Sequence, residues 1–269
     1  MEYYANSEFG LLSARICDYA RKSQAGELSV SDFLSPSEVA YVRVLLAEQR
    51  IAHRGVFLGG YGDAERQKLF LLPSYTDDLD GNAKEKLDTY FSDEKDSEIC
   101  AVKISGSGYR ELSHRDYLGS ILALGIERDA LGDIVLVDEY SACVFCPSKI
   151  KEFLELSLER VASDAVRVTD FTVTEEFSAN REFKRILSTV ASNRLDCVVS
   201  ALTGLSREKS QELIRHELCQ LNYITECRCD RTLDAPCTLS LRGYGKFILR
   251  ELEGLTKKGR LKMSADKYI

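Results

Sequence analysis

The residues Asn193 to Asn222, NRLDCVVSALTGLSREKSQELIRHELCQLN, place cationic side chains at two points where the chain is about to become helical. Arg194 precedes one apolar-periodic run, Ser206-Arg207 precede a second, and Lys209 and Arg215 lie at or near the exposed surface of that second run. The chemistry open to such a set is the capture of phosphate, whose oxygens accept from guanidinium and ammonium groups. An Arg at a helix N-terminus gains nothing from the helix dipole, which favours anions there, so a phosphate partner explains both arginines better than local stability does.

Two short helices and the start of a strand must position these groups. Leu195, Val198, Val199 and Leu202 fall at i, i+3, i+4 and i+7, one apolar stripe that leaves Arg194 and Asp196 off it. Gly204 closes that helix, Ser206 is a natural N-cap for the next, and Leu213 and Ile214 mark its buried side. Further on, Arg242-Gly243-Tyr244-Gly245-Lys246 reads as a hairpin whose glycines allow close backbone approach. Lys257-Lys258-Gly259-Arg260 reads as a basic tail, mobile alone and ordered by a phosphate-bearing partner, with a plain solvated tail as the equal alternative.

The net charge of −7 over 269 residues argues against nucleic acid only until its distribution is read. From Val190 onward there are 14 Lys and Arg against 10 Asp and Glu, and from Leu241 to Ile269 eight against three. Phosphate attraction acts over about 8 Å at physiological salt, so this local excess outweighs the whole-chain sum. The length allows two or three small domains, and 44% hydrophobic residues suffice for ordinary cores. No apolar run reaches the roughly 18 residues of a membrane helix, and MEYYANSEFGLL lacks the basic start and apolar core of a signal peptide, so a cytoplasmic location is expected. Nine cysteines, an odd number, several within apolar-patterned segments, read mostly as reduced core thiols.

Upstream, Glu2 to Arg21 predicts a helix, and Ser35-Pro36-Ser37-Glu38 a second helix start with Ser35 at the cap and Pro36 at the first position. His53 to Leu58 and Lys68 to Leu72 predict strands joined by GGYGDAERQ, a hairpin connection in preference to a phosphate loop, since no Lys-Ser or Lys-Thr follows. Ser74 to Ser97 is acidic and reads as a solvated linker with a short helix around Lys84 to Phe91. From Ile99 to Thr169 the pattern is β-α-β-β-α-β, the order of a ferredoxin-like or RNA-recognition-like domain, although no aromatic stacking signature is readable.

Three constellations tempt a catalytic or metal reading. Ser113-His114-Arg115-Asp116 are too close on one helix to form a nucleophile relay, and capping is preferred, with Arg115 a candidate second RNA contact. Cys143-Val-Phe-Cys146 has zinc-like spacing, but strand alternation and the lack of a second CxxC disfavour metal; no cofactor is expected. Arg194-Leu195-Asp196 is reminiscent of the catalytic aspartate motif of pseudouridine synthases, yet Asp196 reads better as a helix-start residue that orients nearby Arg side chains.

Arg194-Leu195-Asp196, Ser206-Arg207, Ile214 and Asn222 together resemble the S4 RNA-binding domain. With Ser240 to Phe247, Thr256 to Arg260, His114 to Gly119 and Gly132 to Ile134, the resemblance extends to the bacterial YlmH family and covers nearly the whole chain. It departs from the family pattern at Glu217, where a Gly is usual, and at Pro236-Cys237, where Gly-Asp is usual; Glu217 at a positive φ would cost about 1 kcal/mol.

The resemblance implies an α+β protein: an N-terminal α/β domain over 1–76, an acidic linker over 77–97, a central ferredoxin-like RNA-binding domain over 98–180, an S4-type domain over 181–255 and a basic tail over 256–269. It implies RNA contact by Arg194, Ser206, Arg207, Lys209, Arg215, Asn222, Arg242, Lys246, Lys257, Lys258 and Arg260. YlmH proteins and the related small protein RqcP are associated with the large ribosomal subunit carrying a stalled peptidyl-tRNA, in ribosome-associated quality control. The resemblance therefore implies a non-catalytic factor that holds rRNA and tRNA while a protein partner extends the stalled chain. The alternative is an RNA-modifying enzyme that uses the S4-type domain for targeting.

Overall fold

Capping and strand alternation fix where the elements begin and which sides they bury. This computed structural model describes residues 9–179, 182–257 and 259–269, and the chain divides into two units at residue 180. The protein is mixed α and β, with antiparallel sheets in both units.

In the first unit, α1 (Gly10–Gln24) buries Ile16 and is followed by β1 (Ser29–Val30). Residues 2–8 of the expected first helix lie outside the described residues. α2 (Pro36–Glu48) starts at a reciprocal cap: the Ser35 hydroxyl accepts from the Glu38 amide, the Glu38 carboxylate accepts from the Ser35 amide, and Pro36 stands where no amide is needed. β2 (Gly55–Leu58) and β3 (Lys68–Leu71) pair antiparallel, with β1 on the other side of β3. β2 starts later than expected because Ala52–Arg54 form a 3-10 turn.

The acidic stretch after β3 is not a solvated linker. It forms α3 (Ala83–Tyr90) and α4 (Ser92–Glu98), and Leu87 and Phe91 pack with Val56, Phe70 and Leu72. Asn82 caps α3 by accepting from the Lys84 and Glu85 amides. Two apolar residues at i, i+4 anchor a stretch whose remaining side chains are mostly polar.

β4 (Cys100–Gly106), α5 (His114–Ala123), β5 (Ile134–Asp138), β6 (Ser141–Cys146), α6 (Ser148–Ser157), β7 (Arg160–Val161) and β8 (Asp164–Asp170) complete the unit. Their sheet runs β5-β6-β4-β8-β7, every neighbour antiparallel. One face packs Val102, Ile104, Val144 and Cys146 against Tyr117 and Ile121 of α5 and Leu154 of α6. On the other face Ala101, Val135, Cys143 and Phe145 lie with Phe33, Tyr61, Phe171 and Phe177. Tyr61 stacks on Phe145 with ring centroids 4.9 Å apart.

Asp133 fixes this closure by accepting from the Tyr61 hydroxyl at 2.6 Å and from the Glu65 and Arg66 amides at 2.7 and 3.1 Å. The Arg66 guanidinium donates to the Phe33 and Leu131 carbonyls at 2.6 and 2.9 Å. Cys143 and Cys146, the zinc-spaced pair, belong to these two opposite faces, and burial pushes both thiols up to about 12. Both are core residues.

In the second unit, β9 (Phe183–Val190), α7 (Leu195–Thr203), α8 (Arg207–Arg215), β10 (Cys219–Leu221), β11 (Ile224–Thr225), β12 (Cys237–Leu241), β13 (Gly245–Leu255) and β14 (Leu261–Tyr268) form one helical layer on one sheet. The sheet runs β11-β10-β12-β13-β14-β9 and is antiparallel throughout. Val198, Val199 and Leu202 of α7 and Leu213 and Ile214 of α8 share a core with Leu239, Phe247, Leu249, Met263 and Ala265.

The expected basic tail is thereby corrected. Leu261–Tyr268 is an interior strand between β13 and β9, with Met263, Ser264 and Ala265 buried. Alternating apolar residues place it in the sheet despite the lysines at 262 and 267.

The glycine-rich connection between β2 and β3 serves packing. Gly60 has φ +95°, and a Cβ there would run into the Phe145 ring. Gly60→Ala is expected to destabilise the protein by at least about 2 kcal/mol, from backbone strain and overpacking, as read from urea unfolding; a change under about 0.5 kcal/mol would contradict this role.

Candidate nucleic-acid interface

A buried carboxylate draws together the cationic groups singled out in the sequence. Asp196, in the first turn of α7, has no exposed surface and accepts from four side-chain nitrogens. Arg194 gives Nε to Oδ1 and Nη2 to Oδ2, both at 3.1 Å; Arg207 gives Nε at 3.0 Å and Gln211 gives Nε2 at 2.7 Å, both to Oδ2. Burial alone would raise the Asp196 pKa, but the hydrogen bonds from Arg194, Gln211 and Arg207 outweigh it and hold the carboxyl far below the usual carboxylate range. Asp196 thus stays ionised and fixes two guanidiniums from separate stretches of chain, one leading into each helix.

Both arginines also reach solvent. The side chain of Arg194 is 36% exposed and that of Arg207 57%. A guanidinium has five N–H donors; among the described residues, Arg207 gives Asp196 only Nε, which leaves its terminal nitrogens directed to a ligand or water. Preoriented forks of this kind suit phosphate.

The helix N-termini themselves are occupied by the chain. The amides of Leu195 and Asp196 donate to the Arg231 and Cys229 carbonyls at 2.8 and 3.1 Å. Ser206 caps α8 by accepting from the Lys209 amide at 3.3 Å. Asp196 therefore supplies a local reason for the arginines that the dipole argument lacked, and any phosphate would meet side chains rather than the bare amides of α7.

Lys209 is exposed on α8, and Arg215 stands in its last turn, where a cation also complements the helix dipole. Asn222 is structural: it and Tyr223 have φ of 48° and 67°, the two-residue turn of the β10–β11 hairpin, and the Asn222 Oδ1 accepts from the Thr238 amide at 2.9 Å. Arg242 is exposed at the tip of the β12–β13 hairpin and Lys257 in the turn after β13. Arg260 is exposed too, but its guanidinium donates to Thr189 Oγ1 and the Thr189 carbonyl at 3.0 and 2.7 Å. Lys258 lies outside the described residues.

Lys246 is not beside Asp196. Its neighbour Phe247 points into the core under α7 and α8, so strand alternation sends Lys246 to the opposite face of the sheet. Arg115 is exposed on α5 in the first unit. Glu217 does adopt a positive φ, 61°, in the turn after α8.

Sequence reading passes over Arg231. Thr232 bridges to Arg194, and the Arg231 carbonyl accepts from the Leu195 amide at the start of α7. Arg231 lies 3.8 Å from Glu226 and is 47% exposed, a further cation near the pair.

The stability contributed by Asp196 follows its depressed pKa. It is fully present above the unfolded value of about 4 and is lost as pH falls through the lower folded value. Asp196→Asn should cost about 2 kcal/mol at pH 7 and less near pH 3, as measured by urea unfolding; an equal loss at both pH values would contradict the assignment.

Comparison with known proteins accords with this architecture. Residues 92–175 match the family described as "Putative RNA-binding domain in YlmH". The chain is 25% identical over 241 residues, 89% of its own length and 87% of the other, to the Bacillus subtilis protein named ribosome-associated protein quality control protein P2. It is also similar in fold to the Streptococcus pneumoniae cell division protein ylmH, with a TM-score of 0.51 at 18% identity over 66% of this chain and 99% of that one. The central region thus matches the domain described for YlmH proteins, and the chain resembles the B. subtilis relative along most of its length.

Proposed function

We propose that this protein is a non-catalytic RNA-binding factor that grips structured rRNA or tRNA through an S4-type C-terminal domain and acts on large ribosomal subunits carrying stalled peptidyl-tRNA. The observation that carries this reading is the pair of solvent-reaching guanidiniums held by one buried carboxylate, Arg194 and Arg207 on Asp196. Such a device presents fixed donors to a shaped array of phosphates and reads backbone geometry rather than sequence. Its location within a locally basic segment, 14 Lys and Arg against 10 Asp and Glu from residue 190 onward, favours a polyanion over a metabolite.

The B. subtilis relative is named for ribosome-associated quality control, and that printed role supports the ribosome as the target here. We assign residues 98–180 as a ferredoxin-like domain that adds a second contact surface, with Arg115 on it, and residues 1–76 as the N-terminal α/β domain. Much of the sheet face that would stack bases in an RNA-recognition domain is covered here by Phe33, Tyr61 and Phe177, so contact by the central domain runs through its helices and loops.

Co-sedimentation with purified large ribosomal subunits, with peptidyl-tRNA retained, tests the proposal. The native protein should co-migrate in a salt-sensitive way, and the Arg194→Ala, Arg207→Ala double variant should bind at least about tenfold more weakly. Equal co-migration of the two proteins, or none for either, would contradict it.

A further inference from the structure

The face of the C-terminal sheet that turns away from α7 and α8 carries an arrangement that the Asp196 site does not use. Lys246 Nζ lies 4.8 Å from the ring centre of Tyr223 and 4.6 Å from that of Tyr268. Tyr268 meets Phe183 edge-on with centroids 4.9 Å apart, and Arg250 lies 5.8 Å over Phe183. Tyr223 belongs to the β10–β11 turn, Lys246 to β13, Tyr268 to β14 and Phe183 to β9, so the row crosses the sheet. All three rings are half-buried.

The charge on this face is mixed but favours cations. Arg250 donates to Asp266 at 2.8 Å, and Arg185, opposite Asp266 on β9, reaches the Ser264 hydroxyl at 3.4 Å. A β-bulge between Leu249 and Glu251 brings Glu251 to the same side. Lys246, Arg250 and Arg185 thus stand against Asp266 and Glu251 on a face that, among the described residues of this unit, no helix covers. Aromatic rings interleaved with cations across an open sheet are the chemistry that receives unpaired bases: each base has a face to stack, and the phosphates between them need a positive partner.

We propose that this face binds a single-stranded RNA segment, with one base stacked on Tyr223, another on Tyr268, and Lys246 and Arg185 facing the phosphates. The surface is separate from the Asp196 set, which grips folded RNA by shape. It gives the second unit two RNA-contacting faces, one for structured RNA and one for an unpaired stretch. The proposal stands independently of the ribosomal target.

The test uses the full chain and a fluorescein-labelled oligouridylate in fluorescence anisotropy. The native protein should bind it, Tyr223→Phe with Tyr268→Phe should bind within about twofold of native, and Tyr223→Ala with Tyr268→Ala should bind at least about tenfold more weakly. No binding by the native protein, or equal binding by the alanine pair, overturns the proposal. If the alanine pair fails to fold, photocrosslinking of 5-iodouridine-substituted oligouridylate to the native protein decides it. Adducts at Tyr223 or Tyr268 support the assignment, and adducts confined to other residues, or none, overturn it. Loss of large-subunit co-sedimentation with retained oligouridylate binding would separate failure of the ribosomal reading from failure of this one.

Discussion

An aspartate with no exposed surface, ionised and bonded by two arginines and a glutamine, is the constraint on which the C-terminal unit depends. Taking a carboxylate out of water is costly unless its lone pairs are filled, and here they are filled by groups from the starts of both helices and from Gln211. That requirement ties α7 to α8 and sets where the guanidiniums can lie. The apolar stripe beneath, Leu195, Val198, Val199 and Leu202 against Leu213 and Ile214, holds the same two helices on the sheet. Packing and electrostatics therefore specify one geometry, and the cationic surface is its by-product.

The first unit solves a different problem. Among the described residues its five-stranded sheet packs α5 and α6 on one face, and the other would expose Phe145, Cys143 and Val135. The N-terminal segment closes part of it, with Phe33 and Tyr61 on the sheet and Asp133 and Arg66 stitching the connecting loop to it. A sheet face left open can stack bases; this sheet has given much of that face to its own chain. In the second unit a comparable sheet face remains open, and it carries the tyrosines and cations.

Much of this could be read from local residue order. The capping box at Ser35, the Gly204 stop and the Ser206 cap follow from interactions within a few residues, or from types with strong positional preference, whereas the positive φ at Glu217 is expected only from the Gly usual there in the resembled family. What escapes such a reading depends on distant partners. β9 gives no clear signal of its own, and β14 reads as part of a loose basic tail, because each is a strand by virtue of the other. The ladder from Leu261↔Val190 to Tyr268↔Phe183 joins segments with both helices and four strands of the unit between them. Leu87 and Phe91 look like isolated apolar residues in an acidic stretch until Phe70 and Leu72 supply the surface beneath them. Lys246 has the right charge for the Asp196 site but the wrong side of a strand, a distinction that needs the register as well as the composition.

The central claim is that position, not charge alone, makes the Arg194–Arg207 surface bind RNA. Affinity of Asp196→Asn for large ribosomal subunits, measured at fixed salt and well below its unfolding temperature, tests it most directly. The substitution removes one negative charge and keeps every cation. If Asp196 sets the guanidinium geometry, the variant binds at least about tenfold more weakly although its net charge is more positive. Unchanged or tighter binding would mean that a diffuse basic surface suffices, and would contradict the account.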